Sequence, residues 1–492
     1  MNYISTRNKN IVRTAAQAIV EGIAPDGGLY VPQSFPTLDA KEWEELYAMD
    51  YNGRAAYVLS KFLDGYTLEE LSDYTQDAYA RFYGDDPCPL TALGDGLYVL
   101  ELWHGPTCAF KDMALTVLPH LLTAGRRKIG AKDKTLILTA TSGDTGKAAM
   151  EGFKDVDGTD IIVFYPSEGV SDMQRRQMIT QAGANVHVCA IDGNFDDAQT
   201  AVKSIFTSSE MADKLAKDGY KLSSANSINW GRLAPQIAYY ISAYCDLVSS
   251  GKINFGDKVD FCVPTGNFGD ILAAYYAMRM GMPVGKLICA SNSNKVLTDF
   301  FSSGVYDTGR QFYKTVSPSM DILVSSNLER LLFEISGRDD ALTAERMAAL
   351  KSSGKYSISK EELETLRSLF DAGYTDEQGT FDTISEVYGD YGYLVDPHTA
   401  VAFGVYNKCK SDRPCVIVST ANPYKFPADV YEAVSGERVS DAYAAADKLC
   451  ALTGEDIPQP LSNLASKQVR FTGSVAREAI ADEVLGYIRG KA

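Results

Sequence analysis

The stretch with the clearest chemistry is His104-Gly105-Pro106-Thr107-Cys108-Ala109-Phe110-Lys111-Asp112, a lysine in a loop of small residues. Set among Ala109, Phe110 and Met113, the Lys111 amine is expected to be buried, and burial disfavours its charged form. A neutral amine attacks aldehydes and carries protons. Two more loops have matching character: Thr141-Ser142-Gly143-Asp144-Thr145-Gly146 and Gly266-Asn267-Phe268-Gly269-Asp270. Each lies between an apolar run and a helical pattern. Glycines there permit close backbone approach, and the N–H groups that open a helix attract phosphate or carboxylate. Ser142 and Thr145 add hydroxyl donors to the first loop. Taken singly, each loop reads as an ordinary strand-to-helix turn. Together, an aldehyde-accepting lysine and two anion cradles point to pyridoxal 5'-phosphate (PLP).

The acidic residues in these loops need separate roles. Asp144 is expected to accept a hydrogen bond from a protonated group on cofactor or substrate. Asp270 is expected to cap the following helix or orient its loop, with the carboxylate turned away from the phosphate. Ser419-Thr420-Ala421-Asn422-Pro423 follows an apolar run. A hydroxyl there is placed to bond a pyridine nitrogen, leaving it less firmly protonated than an Asp would.

The elements that position these loops follow from periodicity. Short apolar strands are predicted at 97–100, 135–139, 161–165, 185–191, 259–263, 287–290 and 416–418. Helices are predicted at 113–123, 147–152, 171–182, 195–206, 233–248 and 271–280. This alternation is that of βαβ units with parallel sheets. Residues 1–90 read as a small helical cap, with a Pro-Asp-Gly-Gly turn and one short strand at 29–32. Residues 291–395 read as an insertion in the catalytic unit 91–437, and 438–492 as a mostly helical, polar tail packing on it.

Composition narrows the partners. Forty-seven Lys and Arg against 64 Asp and Glu give a net charge of −17 over 492 residues, which argues against nucleic acid or an anionic membrane. An anionic ligand therefore needs a local positive pocket. Nine scattered cysteines without a CxxC pair read as reduced thiols of a cytoplasmic protein, and four separated histidines give no metal site. No signal peptide or membrane-spanning run is present.

In combination and order these motifs resemble threonine synthase, a fold-type-II PLP family related to the tryptophan synthase β subunit. The resemblance covers most of the chain. It includes Gly22-Ile23-Ala24-Pro25-Asp26-Gly27-Gly28-Leu29-Tyr30-Val31-Pro32, the lysine loop from Trp103, and both glycine loops. It extends to Asn226-Ser227-Ile228-Asn229-Trp230-Gly231-Arg232, Ser317-Pro318-Ser319-Met320-Asp321, Ser326-Asn327-Leu328-Glu329-Arg330 and Asp396-Pro397-His398-Thr399-Ala400. The resemblance implies conversion of O-phospho-L-homoserine and water to L-threonine and phosphate. It implies Lys111 as the residue carrying PLP, Gly266, Asn267 and Phe268 around the cofactor phosphate with Asp270 closing that loop, and Thr420 at the pyridine nitrogen. Ser142, Asp144 and Thr145 belong to the substrate-anion loop. Asn226, Asn229 and Arg232 are the candidates for the substrate phosphate, with Lys425 behind them. Members of the family often carry His where Asn422 stands, and Asn cannot shuttle protons near neutral pH. Two alternatives stay open. One is a phospholyase that releases phosphate and a 2-oxo acid, and the other a non-catalytic binding protein on the same fold. A monomer or homodimer is compatible with the sequence.

Overall fold

The computed structural model describes residues 1–490 other than Asp95, Ser142, Glu168, Gly169 and Asn194. Two sheets organise it. The first has six strands in the order Phe370–Tyr374, Val284–Ser291, Val259–Pro264, Cys415–Ser419, Leu97–Glu101 and Leu90–Gly94. Only the last pairs antiparallel. The second has five parallel strands in the order Ser474–Ala476, Val186–Asp192, Thr159–Pro166, Lys134–Ala140 and Tyr220–Ser223. Central strands such as Val259–Pro264 and Cys415–Ser419 are buried at every position, because helices cover both faces of a parallel sheet. All seven predicted strands are present, most of them longer by a residue or two.

The helix Trp230–Ser249 is predominantly apolar and is buried along nearly all its length. A helix of that composition belongs in the interior, and its burial puts Arg232 there with it. The glycine loops and the lysine loop all leave the carboxyl ends of parallel strands, the usual place for a ligand in such sheets.

Three regions differ from the sequence reading. The N-terminal segment contains a three-stranded antiparallel sheet, Asn8–Thr14, Asn2–Ser5 and Tyr30–Pro32, as well as its helices. Its first hairpin is too polar to show an apolar alternation. The segment 291–395 is no simple insertion, because Phe370–Tyr374 completes the edge of the six-stranded sheet. Likewise Ser474–Ala476 of the tail adds a strand beside Val186–Asp192. The helix Ile480–Arg489 then buries Ile480, Val484, Leu485 and Ile488 against Leu136, Leu138 and Ile162.

Candidate active site

The lysine loop is built on Asp112. Its carboxylate accepts from the Thr107 amide at 2.8 Å and the Thr107 hydroxyl at 2.7 Å. Gly105 lies so close that a Cβ there would sit 2.4 Å from Asp112 Cβ, so only glycine fits. The loop is then stitched to the end of strand Cys415–Ser419. The amides of Leu102 and Phe110 donate to the carbonyls of Ser419 and Thr420, and the Asn422 amide donates to the Cys108 carbonyl, at 3.0, 2.8 and 3.1 Å. This stitching brings Lys111 and Thr420 to the same wall.

Lys111 is 9% exposed. Its Nζ lies 4.7 Å from the centre of the Phe110 ring and 3.6 Å from Asp144 Oδ2. Burial pulls the amine down to about 8; Asp144 opposes this, and the Arg232 and Lys425 cations reinforce it. Asp144 is itself heavily engaged. Its Oδ1 accepts from Lys425 Nζ at 2.6 Å and Gln174 Nε2 at 2.9 Å, and its Oδ2 from the Ser319 hydroxyl at 3.1 Å. Burial alone would raise this carboxyl, but Lys425 and Lys111 hold it well below the usual carboxylate range.

The second loop ends in Phe268, whose φ of +62° is unusual for a large side chain. The Phe268 ring is packed against Phe301 and Phe370, which holds that conformation. The helix Gly269–Arg279 starts immediately after, with no side-chain cap on its first amides. Over the loop lies the segment that begins at Ser317. A Cβ on Gly266 would fall 2.9 Å from the Ser319 carbonyl oxygen. The Ser325 hydroxyl donates to the Gly266 carbonyl at 2.7 Å, and Asn327 donates twice to the Asn267 carbonyl at 3.1 Å. Asp270 does not cap the helix. Instead its Oδ1 accepts from the hydroxyls of Tyr239 and Tyr240 at 2.5 and 2.7 Å, anchoring the loop to the long buried helix. Its Oδ2 is buried without a hydrogen-bond partner. Burial raises this carboxyl to about 6.

One cavity of about 210 Å³ gathers Lys111, Asp144 and Thr145, then Asn226 and Arg232, then the loop Gly266 to Asp270, and finally Thr420. Ser142 lies outside the described residues. Arg232 is buried and gives one hydrogen bond, from Nη1 to the Ala225 carbonyl at 2.9 Å, while Nε has none. Among the described residues no carboxylate comes within ion-pair distance of it. Burial lowers its guanidinium to about 10. Asn229 does not face the cavity. Its amide nitrogen donates to the Ile19 and Ser224 carbonyls at 3.0 Å, and its oxygen accepts from the Gly231 amide at 2.9 Å, so this side chain caps the long helix. Lys425 is fully buried and faces Asp144 instead of the cavity. Asn422 caps a short turn by accepting from the Tyr424 amide at 2.9 Å.

Sequence reasoning gave no role to Ser319, Gln174 or His398. His398 borders the cavity, with Nδ1 2.7 Å from Asp396 Oδ1 and Nε2 accepting from the Ser319 amide at 3.2 Å. Its place in the Asp396 to Ala400 motif was the available signal.

The residues present fit a phosphate-bearing aldehyde. They offer a reactive amine, an uncapped helix start beneath a cradle that a methyl group would fill, and a buried guanidinium nitrogen with no partner. Comparisons with known proteins agree. The family model described as "Pyridoxal-phosphate dependent enzyme" matches residues 82–421. Those for the threonine synthase N terminus and C terminus match 2–79 and 399–484. The chain is 42% identical over 440 residues to a threonine synthase of Pseudomonas aeruginosa, covering 89% of this chain and 91% of that one. It is 40% identical to threonine synthase-like 1 of Homo sapiens, over 89% of this chain but only 61% of that protein. A crystal structure of PLP-bound threonine synthase from Brucella melitensis superposes with a TM-score of 0.89 at 39% identity, over 100% of this chain and 99% of that one.

Proposed function

The chain belongs to the threonine synthase family of PLP-dependent enzymes, and on that premise we propose that it converts O-phospho-L-homoserine and water to L-threonine and phosphate. The observation that carries this reading is a buried lysine, its amine pulled down to about 8, in one cavity with a buried arginine that has no carboxylate partner among the described residues. The first suits the cofactor, and the second a substrate with its own phosphate.

In this reading Lys111 carries PLP. Gly266, Asn267 and Phe268, with the first amides of the following helix, take its phosphate. Asp270 steadies that loop through Tyr239 and Tyr240, and the Thr420 hydroxyl would bond the pyridine nitrogen. PLP, when bound, supplies the electron sink for charge developed on the substrate carbons. Arg232 and Asn226 bind the substrate phosphate, and Ser142 and Thr145 the remaining substrate anion. The Lys111 amine removes the Cα proton and serves again at Cβ, oriented by Asp144. Phosphate departs from Cγ, and water adds at Cβ. The buried walls around Lys111 keep bulk water from competing with these proton transfers.

The same lysine and anion-binding loops would also serve a phospholyase that releases phosphate and a 2-oxo acid. Incubation of PLP-loaded protein with O-phospho-L-homoserine separates the two. Equal amounts of threonine and phosphate are expected; phosphate with 2-oxobutyrate would replace the synthase with a phospholyase. We assign the protein to the cytoplasm as a monomer or homodimer. Nine free thiols support the cytoplasmic assignment. We divide it into an N-terminal domain at 1–90, a catalytic unit at 91–437 and a tail at 438–492.

A further inference from the structure

Two buried lysines share one carboxylate. Lys425 Nζ donates to Asp144 Oδ1 at 2.6 Å and to the Thr107 carbonyl at 2.9 Å. Lys111 Nζ stands 3.6 Å from Asp144 Oδ2 and over the face of Phe110. With both amines protonated, two cations would face one anion away from water, which is costly. The proton must leave the more poorly held amine. Lys425 has a close carboxylate and a carbonyl, whereas Lys111 has one long contact and a ring.

We propose that Lys425 is a positioning residue for the reacting amine: as the standing counter-cation of Asp144, it prevents that carboxylate from clamping Lys111 as an ammonium ion. This rests on the reading of Lys111 as the amine that takes the cofactor. It gives a reason for a lysine that is wholly buried yet forms no part of the cavity wall.

The other charges around the pair are few. Arg232, on the long buried helix, repels the Lys111 cation alongside Lys425, and Asp144 attracts it. Asp270, on the helix after the second loop, interacts with Lys111 from its own side. Asp112 and Cys108, in the lysine loop, interact with Lys425. Gln174 and Ser319 keep Asp144 aimed at the cluster, so removing Lys425 leaves Lys111 as its single cationic partner.

The test compares PLP-loaded wild type, Lys425→Met and Lys425→Arg by the pH dependence of the lysine-linked absorbance, which follows the proton on the same Lys111 nitrogen beside the same Asp144 carboxylate. Borohydride reduction and peptide mapping first establish that the cofactor sits on Lys111. Arginine keeps a cation and is expected to preserve the midpoint. Methionine is expected to raise it by about one pH unit or more, the effect of losing a neighbouring like charge. An unmoved midpoint in folded, loaded Lys425→Met overturns the proposal. Failure of wild type to take PLP on Lys111 overturns instead the reading on which it rests. Should Lys425→Met not fold, nitrogen-15 lysine spectra of the unloaded full chain, with Lys111→Arg for assignment, decide the question. Lys111 must lose its proton before Lys425, and the reverse order overturns the proposal.

Discussion

Arg232 carries the proposed substrate-phosphate role at the residue scale. A guanidinium buried among protein atoms, with an unbonded Nε and no carboxylate in reach among the described residues, is unfavourable until an anion arrives. A charge-assisted hydrogen bond is worth about 1.5–3 kcal/mol. Arg232→Met should therefore lower kcat/KM for O-phospho-L-homoserine roughly ten- to a hundredfold. Its melting temperature should be unchanged or higher, because an uncompensated buried charge has been removed. A lower melting temperature with unchanged kinetics would make Arg232 a structural residue. The same scale explains one misassignment. Asn229 and Asn226 are chemically alike and three residues apart, yet only one faces the cavity. Asn is both a good helix cap and a good ligand donor, and the difference is set by where the chain turns into the helix at Trp230.

At the scale of elements, the site is closed by the segment that follows Ser317. It touches the glycine loop at Gly266 and, through the Ser319 hydroxyl, the Asp144 carboxylate, while His398 holds its backbone. A methyl group on Gly266 would force this segment away, at a cost of about 1–3 kcal/mol. Gly266→Ala should thus weaken PLP binding roughly tenfold or more, with an unchanged far-ultraviolet spectrum. Gly389→Ala, in open space on the helix Glu377–Tyr391, should have no such effect. Equal PLP affinity for Gly266→Ala and wild type would remove the segment from the cofactor site. Elements of this kind were only partly legible. The lysine and glycine loops carry their own signals, since small residues and helix-start patterns lie within a few positions of the chemistry. The Asp144 cluster does not. Gln174, Ser319 and Lys425 come from 30, 175 and 281 positions further along the chain. No local pattern reports such a meeting.

At the scale of the whole molecule, the tail is part of the second sheet. Ser474–Ala476 covers an edge, and four apolar side chains of Ile480–Arg489 enter the core. Burying such side chains contributes about 1.5–3 kcal/mol each, comparable in sum to the entire stability of an ordinary domain. The tail also reaches the site. Arg176 donates to the carbonyls of Leu464, Ala465 and Lys467, and two residues earlier on the same helix Gln174 donates to Asp144. A chain ending at residue 437 should aggregate or lose cooperative unfolding. Arg489→Ala, which removes only an exposed pair with Asp218, should shift the melting temperature little. A soluble shortened chain with wild-type melting would return the tail to the status of an appendage. The sequence predicts a helical tail packing on the catalytic unit but not its place in the second sheet, because its strand is three residues long and its helix amphipathic, so neither shows which sheet will receive it.

The reaction itself is tested most directly with oxygen-18 water. In the proposed chemistry the bond broken is between Cγ and oxygen, so phosphate leaves with all its oxygens, and the new hydroxyl at Cβ comes from solvent. PLP-loaded protein turning over O-phospho-L-homoserine in labelled water should give threonine carrying one labelled oxygen on its side chain and phosphate carrying none. Label in the phosphate, with homoserine in place of threonine, would mean hydrolysis at phosphorus and would contradict the account.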